Sequence, residues 1–425
     1  MKNRLYSWVN AQQKQLPKRL MVKLLRHIVD GVITVRFPDG TQETFGTQGK
    51  KITLDLHHPR AIWALLIGGR AGFCVAYVEG YWSSSDVEGL FSLASTNQDQ
   101  LQKILAGRWW YRALGLLTHA RRANHVKGAR RNIIAHYDLG NDFYEAWLDG
   151  SMTYSSGLFL TENTTLEEAQ RLKYERIGQL IDIKAGQQIL EIGCGWGGFA
   201  EFAARKNAQI TGITISPSQQ HYALQRLQQK NLTADIRLCD YRHLSGQFDR
   251  IVSIEMLEAV GEKYWPIYFA QIAKLLKAGG MAVIQVITIR EQDYAQYRRE
   301  PDFIQQHIFP GGMLPTRRHI AAIAAEQGLQ IIDSYGFGKD YATTLRHWNT
   351  RFQEAWPRLR QNNFNEQFRR KWEQYFHYCA AGFSTGAIDV CHITLGKPAI
   401  NIAFPAISLP SRQEEEASTR QIKVA

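Results

Sequence analysis

The stretch that most restricts this chain is Ile189 to Lys206, ILEIGCGWGGFAEFAARK, in which four glycines fall within six residues between an apolar run and a helical one. Glycine lacks a Cβ, so such a loop allows a ligand or a second backbone to approach closely. A strand, a glycine loop and a helix in that order place a nucleotide-like ligand at the carboxyl end of a parallel sheet. Gly193, Gly195 and Gly198 also satisfy GxGxxG, which admits a dinucleotide. The next strand argues against one. It ends GITISPSQQ, with Thr214, Ser216 and Gln219 but no acid to hold ribose hydroxyls. The third strand ends in Asp240 and Tyr241, a hydrogen-bonding group and a ring suited to adenine. With Glu191 facing the ligand's polar end, the set fits S-adenosylmethionine better than a nicotinamide dinucleotide. A sulfonium is also drawn to ring faces and carboxylates.

The surrounding pattern is α/β. Strands are expected at 187–193, 209–216, 234–240, 248–254 and 281–289, with two more at LQIIDSY and IDVCHITLG. Helical segments separate them, which predicts a mostly parallel, Rossmann-like seven-stranded sheet with a smaller α+β domain before it. In that first part, leucines 16, 20 and 24 with Ile28 mark a helix, and GVITVRFPDGTQETFG reads as a hairpin about Asp39-Gly40. Residues 60–84 read as a helix, a glycine turn and an aromatic segment. The expected division is 1–99 for a first domain, 100–134 for a basic linker or surface helix, 135–400 for a second, larger domain and 401–425 for a tail.

Charge is the unusual part of the composition. The formal net charge is +12, and two stretches, Met1 to Val29 and the run between Asp99 and Asp138, contain basic residues and no acid. They point to an anionic partner, nucleic acid or acidic lipid. Five cysteines (Cys74, Cys194, Cys239, Cys379, Cys391) without CxxC spacing suit a reducing compartment and no metal site. No run of about 18 apolar residues is uninterrupted, so contact with a membrane is expected from its surface.

Five motifs in order, HYDLGNDFYEAWLDGSMTYSSGLF, LEIGCGWGGFA, GITISPSQQ, FDRIVSIEMLEAVGEKYW and IFPGGMLPT, resemble the cyclopropane-fatty-acyl-phospholipid synthase family. The resemblance runs from His136 to the region of Cys379 and, more loosely, through GFCVAYVEGYW. It implies a class I methyltransferase fold and transfer of the S-adenosylmethionine methyl to a cis double bond in a phospholipid acyl chain. It also implies a bound bicarbonate as general base, and a dry cavity for which Trp147, Tyr154, Tyr264, Trp265 and Phe337 are candidate linings.

By the same resemblance, Tyr154 and Ser155 take the amino-acid end of the cofactor, with Gly193, Cys194, Gly195 and Gly197 beneath it. Thr214, Ser216 and Gln219 take the ribose side, and Asp240 and Tyr241 the adenine side. Glu258, Tyr341 and Ile287 map onto the bicarbonate site, where Ser156 and Gln285 stand in place of the family's usual cysteine and histidine. Gln285 cannot titrate as histidine does, so the outcome is open between a cyclopropane and a methylene- or methyl-branched chain. Cys379 matches a late family cysteine and reads chiefly as packing. The expected partners are phospholipids with unsaturated chains and an anionic membrane surface, on the cytoplasmic side of the inner membrane; no nucleic acid is expected and homodimerisation is left open. Trp109, Trp110 and Tyr111 suit the head-group interface. A nucleic-acid methyltransferase and an inactive lipid-binding homologue are the rival readings, distinguished by nucleic-acid binding or by cofactor binding without turnover.

Overall fold

A computed structural model describes residues 17–98, 100, 139–362 and 364–399. The stretch 101–138, with its basic and aromatic residues, and the tail after 400 lie outside the described residues. The chain forms two compact units, one of Met1–Ala123, Gln296–Pro310 and Leu345–Ala387, the other of Asn124–Ala295, Gly311–Thr344 and Ile388–Ala425.

The smaller unit holds a four-stranded sheet of order β2-β1-β3-β4, from β1 (Asp30–Arg36), β2 (Gln42–Phe45), β3 (Gln48–Leu56) and β4 (Trp82–Ser84). β1 and β2 form the expected hairpin, pairing Ile33 with Phe45 and Arg36 with Gln42. At its turn Asp39 accepts from the Thr41 amide at 3.0 Å. The helix Arg60–Val78 is broken at Gly69, whose φ of 55° and ψ of −145° lie outside helical space. It is long and apolar enough, by length and composition, to cross a bilayer, which departs from the expectation drawn from uninterrupted runs. Its second half packs on Trp82, which stacks on Phe73 at 4.4 Å and donates from Nε1 to the Phe73 carbonyl at 2.8 Å.

The division of the chain departs from the expected linear one. The helices Phe303–His307 and Glu366–Ser384 belong to the smaller unit, not to an unbroken block of 135–400. The second of them carries Arg370, which donates to the Tyr77 carbonyl at 2.7 Å and lies over the Tyr77 ring, and Gln374, which reaches Cys74 Sγ at 3.1 Å. An apolar stripe announces that a helix will be buried, but not which core will bury it.

The larger unit is built on the seven-stranded sheet: β5 (Gln188–Ile192), β6 (Gln209–Thr214), β7 (Asp235–Leu238), β8 (Phe248–Ile254), β9 (Leu276–Ile289), β10 (Gln330–Gly336) and β11 (Ile388–Gly396). Its order is β10-β11-β9-β8-β5-β6-β7. The five strands from β7 to β9 are parallel, and β11 runs antiparallel between β9 and β10. The central strands are continuous apolar runs because both faces are covered, which buries Ile189, Leu190, Ile251, Val252, Ala282 and Val283 completely. Helices start at the signals in the sequence. Thr165 caps Leu166–Leu180, Ser216 with Pro217 starts Pro217–Gln229, and Thr316 caps Arg317–Glu326.

Beside β5 and β6, Glu201 ties the helix Gly198–Arg205 to the helix Pro217–Gln229, accepting from Arg226 at 2.6 Å and Lys230 at 2.7 Å. Burial alone would raise the Glu201 carboxyl, but the hydrogen bonds from Lys230 and Arg226 outweigh it and hold the group at about 2. A folded-state value below the unfolded one contributes stability above the unfolded value, which is lost as pH falls through the folded one. Replacing Glu201→Gln should therefore lower the melting temperature at neutral pH, with the difference from wild type shrinking between about pH 4.5 and pH 2. Thermal unfolding followed by circular dichroism across that range would show it.

Candidate active site

The glycine loop follows β5, the middle strand of the parallel part, and the local geometry requires its glycines. Gly193, Gly195 and Gly197 have φ of 82°, 52° and 82°, in the left-handed region that costs other residues about 1–2 kcal/mol. At Gly197 a Cβ would stand 2.9 Å from Ala223 Cβ, and at Gly198 one would stand 2.5 Å from the Tyr174 hydroxyl. Gly195 is different: a Cβ there would meet nothing within 4 Å. Two glycines are thus needed for internal packing, while the third faces open space.

Beneath this loop Glu191 is buried, and its Oε2 has no hydrogen-bond partner among the described residues. Burial pushes its carboxyl up to about 8, against the charge of Lys173 and the Ala200 amide. An enclosed acceptor of this kind, next to a backbone surface open to a ligand, fits a molecule that carries positive charge. Tyr154 belongs to an aromatic group with Tyr144 at 5.6 Å and Trp147 at 5.4 Å. Ser155 lies between the elements: its Oγ accepts from Lys173 at 2.6 Å and its carbonyl accepts from Gln170 at 2.8 Å. Burial lowers the Lys173 ammonium to about 7.

Other residues expected to meet the cofactor are engaged within the chain. Thr214 Oγ1 donates to Gln219 Oε1 at 2.8 Å, and Ser216 is the helix cap. Asp240 is held by Arg242, with its Oδ1 accepting from the Arg242 backbone at 3.0 Å and side chain at 2.8 Å. Tyr241 is buried, its ring 5.6 Å from that of Tyr268. Cys194 is buried, which pushes its thiol well above the ordinary range and leaves it a packing residue of the loop.

A second polar group forms where β8 and β9 end, and its centre is a residue absent from the expected set. Glu255 immediately follows β8 with a φ of 50°, rare for a residue with a side chain. Its amide donates to the Gln285 carbonyl at 2.8 Å, which fastens the turn to β9. Its carboxylate accepts three hydrogen bonds: from the Ser156 amide at 2.9 Å, from Gln285 Nε2 at 2.7 Å and from the Tyr341 hydroxyl at 2.6 Å. Burial raises its pKa, and the Tyr341 and Ser156 hydrogen bonds oppose that without cancelling it.

Ser156, Gln285 and Tyr341 therefore do converge, but on a carboxylate belonging to the chain. The Ser156 hydroxyl points elsewhere and donates to the Gly157 carbonyl at 2.9 Å. Glu258 occupies a separate position, with one oxygen accepting from the Ile287 amide and the other, Oε2, without a partner among the described residues. Burial, and next the charge of Glu255, push the Glu258 carboxyl up to about 8.

Behind Gln285 stands His392, also absent from the expected set. The two are directly paired across β9 and β11. Gln285 Oε1 lies 2.8 Å from His392 Nε2. Because the Gln285 amide nitrogen already donates to Glu255, its oxygen faces the imidazole, which assigns the proton to Nε2. Full burial keeps His392 neutral, well below its usual pKa, and Phe337 packs edge-on against it at 4.6 Å.

The sequence held signals for both residues. SIEML carries a glutamate at the carboxyl end of a central strand, where ligands bind, and VCHIT places one titratable group in an apolar strand. Of the remaining candidates, Trp147 and Trp265 are buried, and Arg242 lies 6.0 Å from the ring of Tyr264. Cys379 belongs to the smaller unit, on the helix Glu366–Ser384, and burial keeps its thiol protonated.

A mostly parallel seven-stranded sheet with an antiparallel β11 and a glycine loop after β5 is the class I methyltransferase fold. Comparison with known proteins narrows the class. The family model for mycolic acid cyclopropane synthetase matches residues 124–393. A tuberculostearic acid methyltransferase from Mycobacterium tuberculosis is 36% identical over 91% of this chain and 92% of its own. The cyclopropane-fatty-acyl-phospholipid synthase of Escherichia coli is 34% identical over 77% of this chain and 84% of its own. Among solved structures, a mycolic acid cyclopropane synthase complexed with SAH and CTAB superposes with a TM-score of 0.60 at 28% identity, covering 65% of this chain and 99% of that one. The chain belongs to the mycolic acid cyclopropane synthetase family and is an S-adenosylmethionine-dependent methyltransferase.

The open face at Gly195 offers a direct check. A Gly195→Val substitution adds left-handed strain and fills the space above the loop, so affinity for S-adenosylhomocysteine should fall at least tenfold in titration calorimetry. The protein should stay folded, because no internal contact is disturbed.

Proposed function

We propose that this enzyme transfers the S-adenosylmethionine methyl to the cis double bond of an unsaturated acyl chain in a membrane phospholipid, forming a cyclopropane. The observation that carries the reading is the pairing of an open glycine loop with a half-buried carboxylate cluster containing Glu255, Glu258, Gln285 and Tyr341. An alkene is a weak nucleophile, and the positive charge it acquires on attack has to be stabilised without being trapped by water. Enclosed carboxylates and ring faces do that.

The cofactor, when bound, supplies an electrophilic methyl. Gly193, Gly195 and Gly197 would seat it, Glu191 would meet its cationic end, and Tyr154 with Ser155 would close over the amino-acid portion. Tyr144, Trp147 and Tyr154 are aromatic neighbours that exclude water. The residues do not suit bicarbonate in the same way, because the donors assigned to it already bind Glu255.

A second reading keeps substrate and cofactor but ends in a methylene- or methyl-branched chain. It is favoured by the 36%-identical relative, which is named as a methyltransferase and not as a cyclopropane synthase, and by glutamine at position 285. Expression in a bacterium lacking its own cyclopropanating enzyme, followed by gas chromatography–mass spectrometry of fatty-acid methyl esters, separates the two. Cyclopropane and methylene-branched products should both gain the mass of one methylene, and derivatisation that cleaves double bonds should leave the ring intact but convert the methylene branch; a saturated methyl branch is two hydrogens heavier and requires a separate hydride donor. Unsaturated chains left unmodified while the cofactor still binds would refute both.

The acyl substrate requires docking on a membrane surface, to which basic residues contribute about 1 kcal/mol each near anionic lipid. The first half of the helix Arg60–Val78 adds an apolar element, with Trp63 38% and Ile67 52% exposed between Arg60 and Arg70. Trp63→Asp combined with Ile67→Asp should reduce co-sedimentation with phosphatidylglycerol vesicles several-fold while leaving the melting temperature near that of wild type. Undiminished binding would direct attention to the basic run at 103–131 instead.

A further inference from the structure

We propose that Glu255 is the built-in general base of this enzyme and that its carboxylate does the work otherwise assigned to a bound bicarbonate, so that turnover needs none. The inference deepens the reading of methyl transfer to an acyl double bond and rests on it.

Three groups that the sequence resemblance allots to an exogenous anion donate to one carboxylate of the chain: the Ser156 amide, Gln285 Nε2 and the Tyr341 hydroxyl, at 2.9, 2.7 and 2.6 Å. Bicarbonate and a glutamate side chain end in the same planar pair of oxygens, so the donors that suit one suit the other. They cannot serve both at once. A second anion would also have to enter beside two acidic side chains, since Glu258 is close enough for the charge of Glu255 to help raise its pKa. Like charges in a desolvated site disfavour each other strongly. The site is therefore complete as an anion site without a further ligand.

The backbone supports the same conclusion. A φ of 50° at a residue with a side chain persists only where its surroundings enforce it, and here the Glu255 amide is fixed to β9 while three donors hold the carboxylate. Ser156 and Tyr341 each give one hydrogen bond and Gln285 one more, which leaves acceptor capacity on Glu255 Oε2, where Tyr341 is the only donor among the described residues. Glu255 as a whole stays half-buried, so it keeps an accessible side from which to meet a substrate. Gln285 is locked in its donating orientation by His392, making His392 a positioning residue.

The step balances as follows. The π pair of the acyl double bond forms a bond to the methyl carbon, the sulfur–methyl bond breaks with its pair retained on sulfur, and the neighbouring acyl carbon becomes cationic. Glu255 takes a proton from the transferred methyl, and the pair of that C–H bond closes the ring onto the cationic carbon. Glu255 ends as a carboxylic acid and returns its proton to water as product leaves. Nothing is oxidised or reduced beyond the transfer itself, and no other reactant is consumed.

The test measures methyl transfer to phospholipid vesicles containing cis-unsaturated chains, in buffer freed of carbon dioxide and then with added bicarbonate. Wild type should run at the same rate in both. Glu255→Gln keeps the shape but not the basicity and should lose about a hundredfold or more in product formation, with S-adenosylhomocysteine affinity within a few-fold of wild type as evidence that it is folded. Glu255→Gly vacates the donors, and its product formation should rise with bicarbonate concentration but not with chloride. His392→Phe, which frees Gln285, should lower kcat with little change in KM for the cofactor. A wild-type rate that collapses without bicarbonate and returns with it would overturn the proposal, as would an undiminished Glu255→Gln, and the first result needs no variant to fold. A wild type that yields no modified acyl chain under either condition would overturn the methyl-transfer reading itself, and this proposal with it.

Discussion

The larger unit is organised around one half-buried carboxyl group. Glu255 sits at the carboxyl end of β8, and the groups that satisfy it come from four separate places in the chain: the loop before the helix Leu166–Leu180, β9, the helix Gly338–Leu359 and, through Gln285, β11. A carboxylate in such a setting is tolerable only if every donor is in position, since an unsatisfied ion would be far more costly than a neutral group. The same demand accords with the register of β9 against β11, which pairs Gln285 with His392 and holds the amide in its donating orientation. Burial, and next the charge of Glu255, drive Glu258 toward its neutral form, and burial itself keeps His392 uncharged.

The glycine loop and the carboxylate cluster divide the chemistry between two kinds of constraint. At the loop the limits are steric: Gly197 and Gly198 have no room for a side chain, and Gly195 has room only where a ligand would lie. At the cluster they are electrostatic, and shape matters less than which atoms carry protons. Glu191 links the two, because its Oε2 lacks a partner among the described residues while the charge of Lys173, buried and hydrogen-bonded to Ser155, bears on both Glu191 and Glu255. A cationic ligand would complete the balance of charge in this core.

How much could be read from the sequence follows from the range of the forces involved. All seven strands of the large sheet lie where the sequence pattern expects them; the central β5, β8 and β9 are apolar because both faces are covered, whereas the edge strands β7 and β10 are short or mixed and largely exposed or half-buried. The loop glycines, the caps at Thr165 and Ser216, and the hairpin about Asp39 are local in origin and equally legible. The allocation of the helix Glu366–Ser384 to the smaller unit was not, because Arg370 finds Tyr77 across nearly three hundred residues of chain. Glu255 and His392 were missed for a related reason. Each looks ordinary among its neighbours in sequence, and their importance arises only when β8, β9 and β11 lie side by side. Matching Glu258 to a family motif gave a carboxylate in the right turn, but nothing in SIEMLEAVG says which of its two glutamates the donors will reach.

The left-handed backbone at Glu255 sets the chemistry of this site against the stability of its fold. Glycine would adopt that conformation freely, and relief of the strain, of the order of 1–3 kcal/mol for a residue in a sparsely populated region, would come together with removal of that carboxyl group. Set against that gain, glycine at 255 would leave the Ser156 amide, Gln285 Nε2 and the Tyr341 hydroxyl without their acceptor, at about 1–3 kcal/mol for each buried donor. Thermal stability and expression at position 255 therefore report the balance between backbone relief and orphaned donors, and carry no information about the basicity of the side chain.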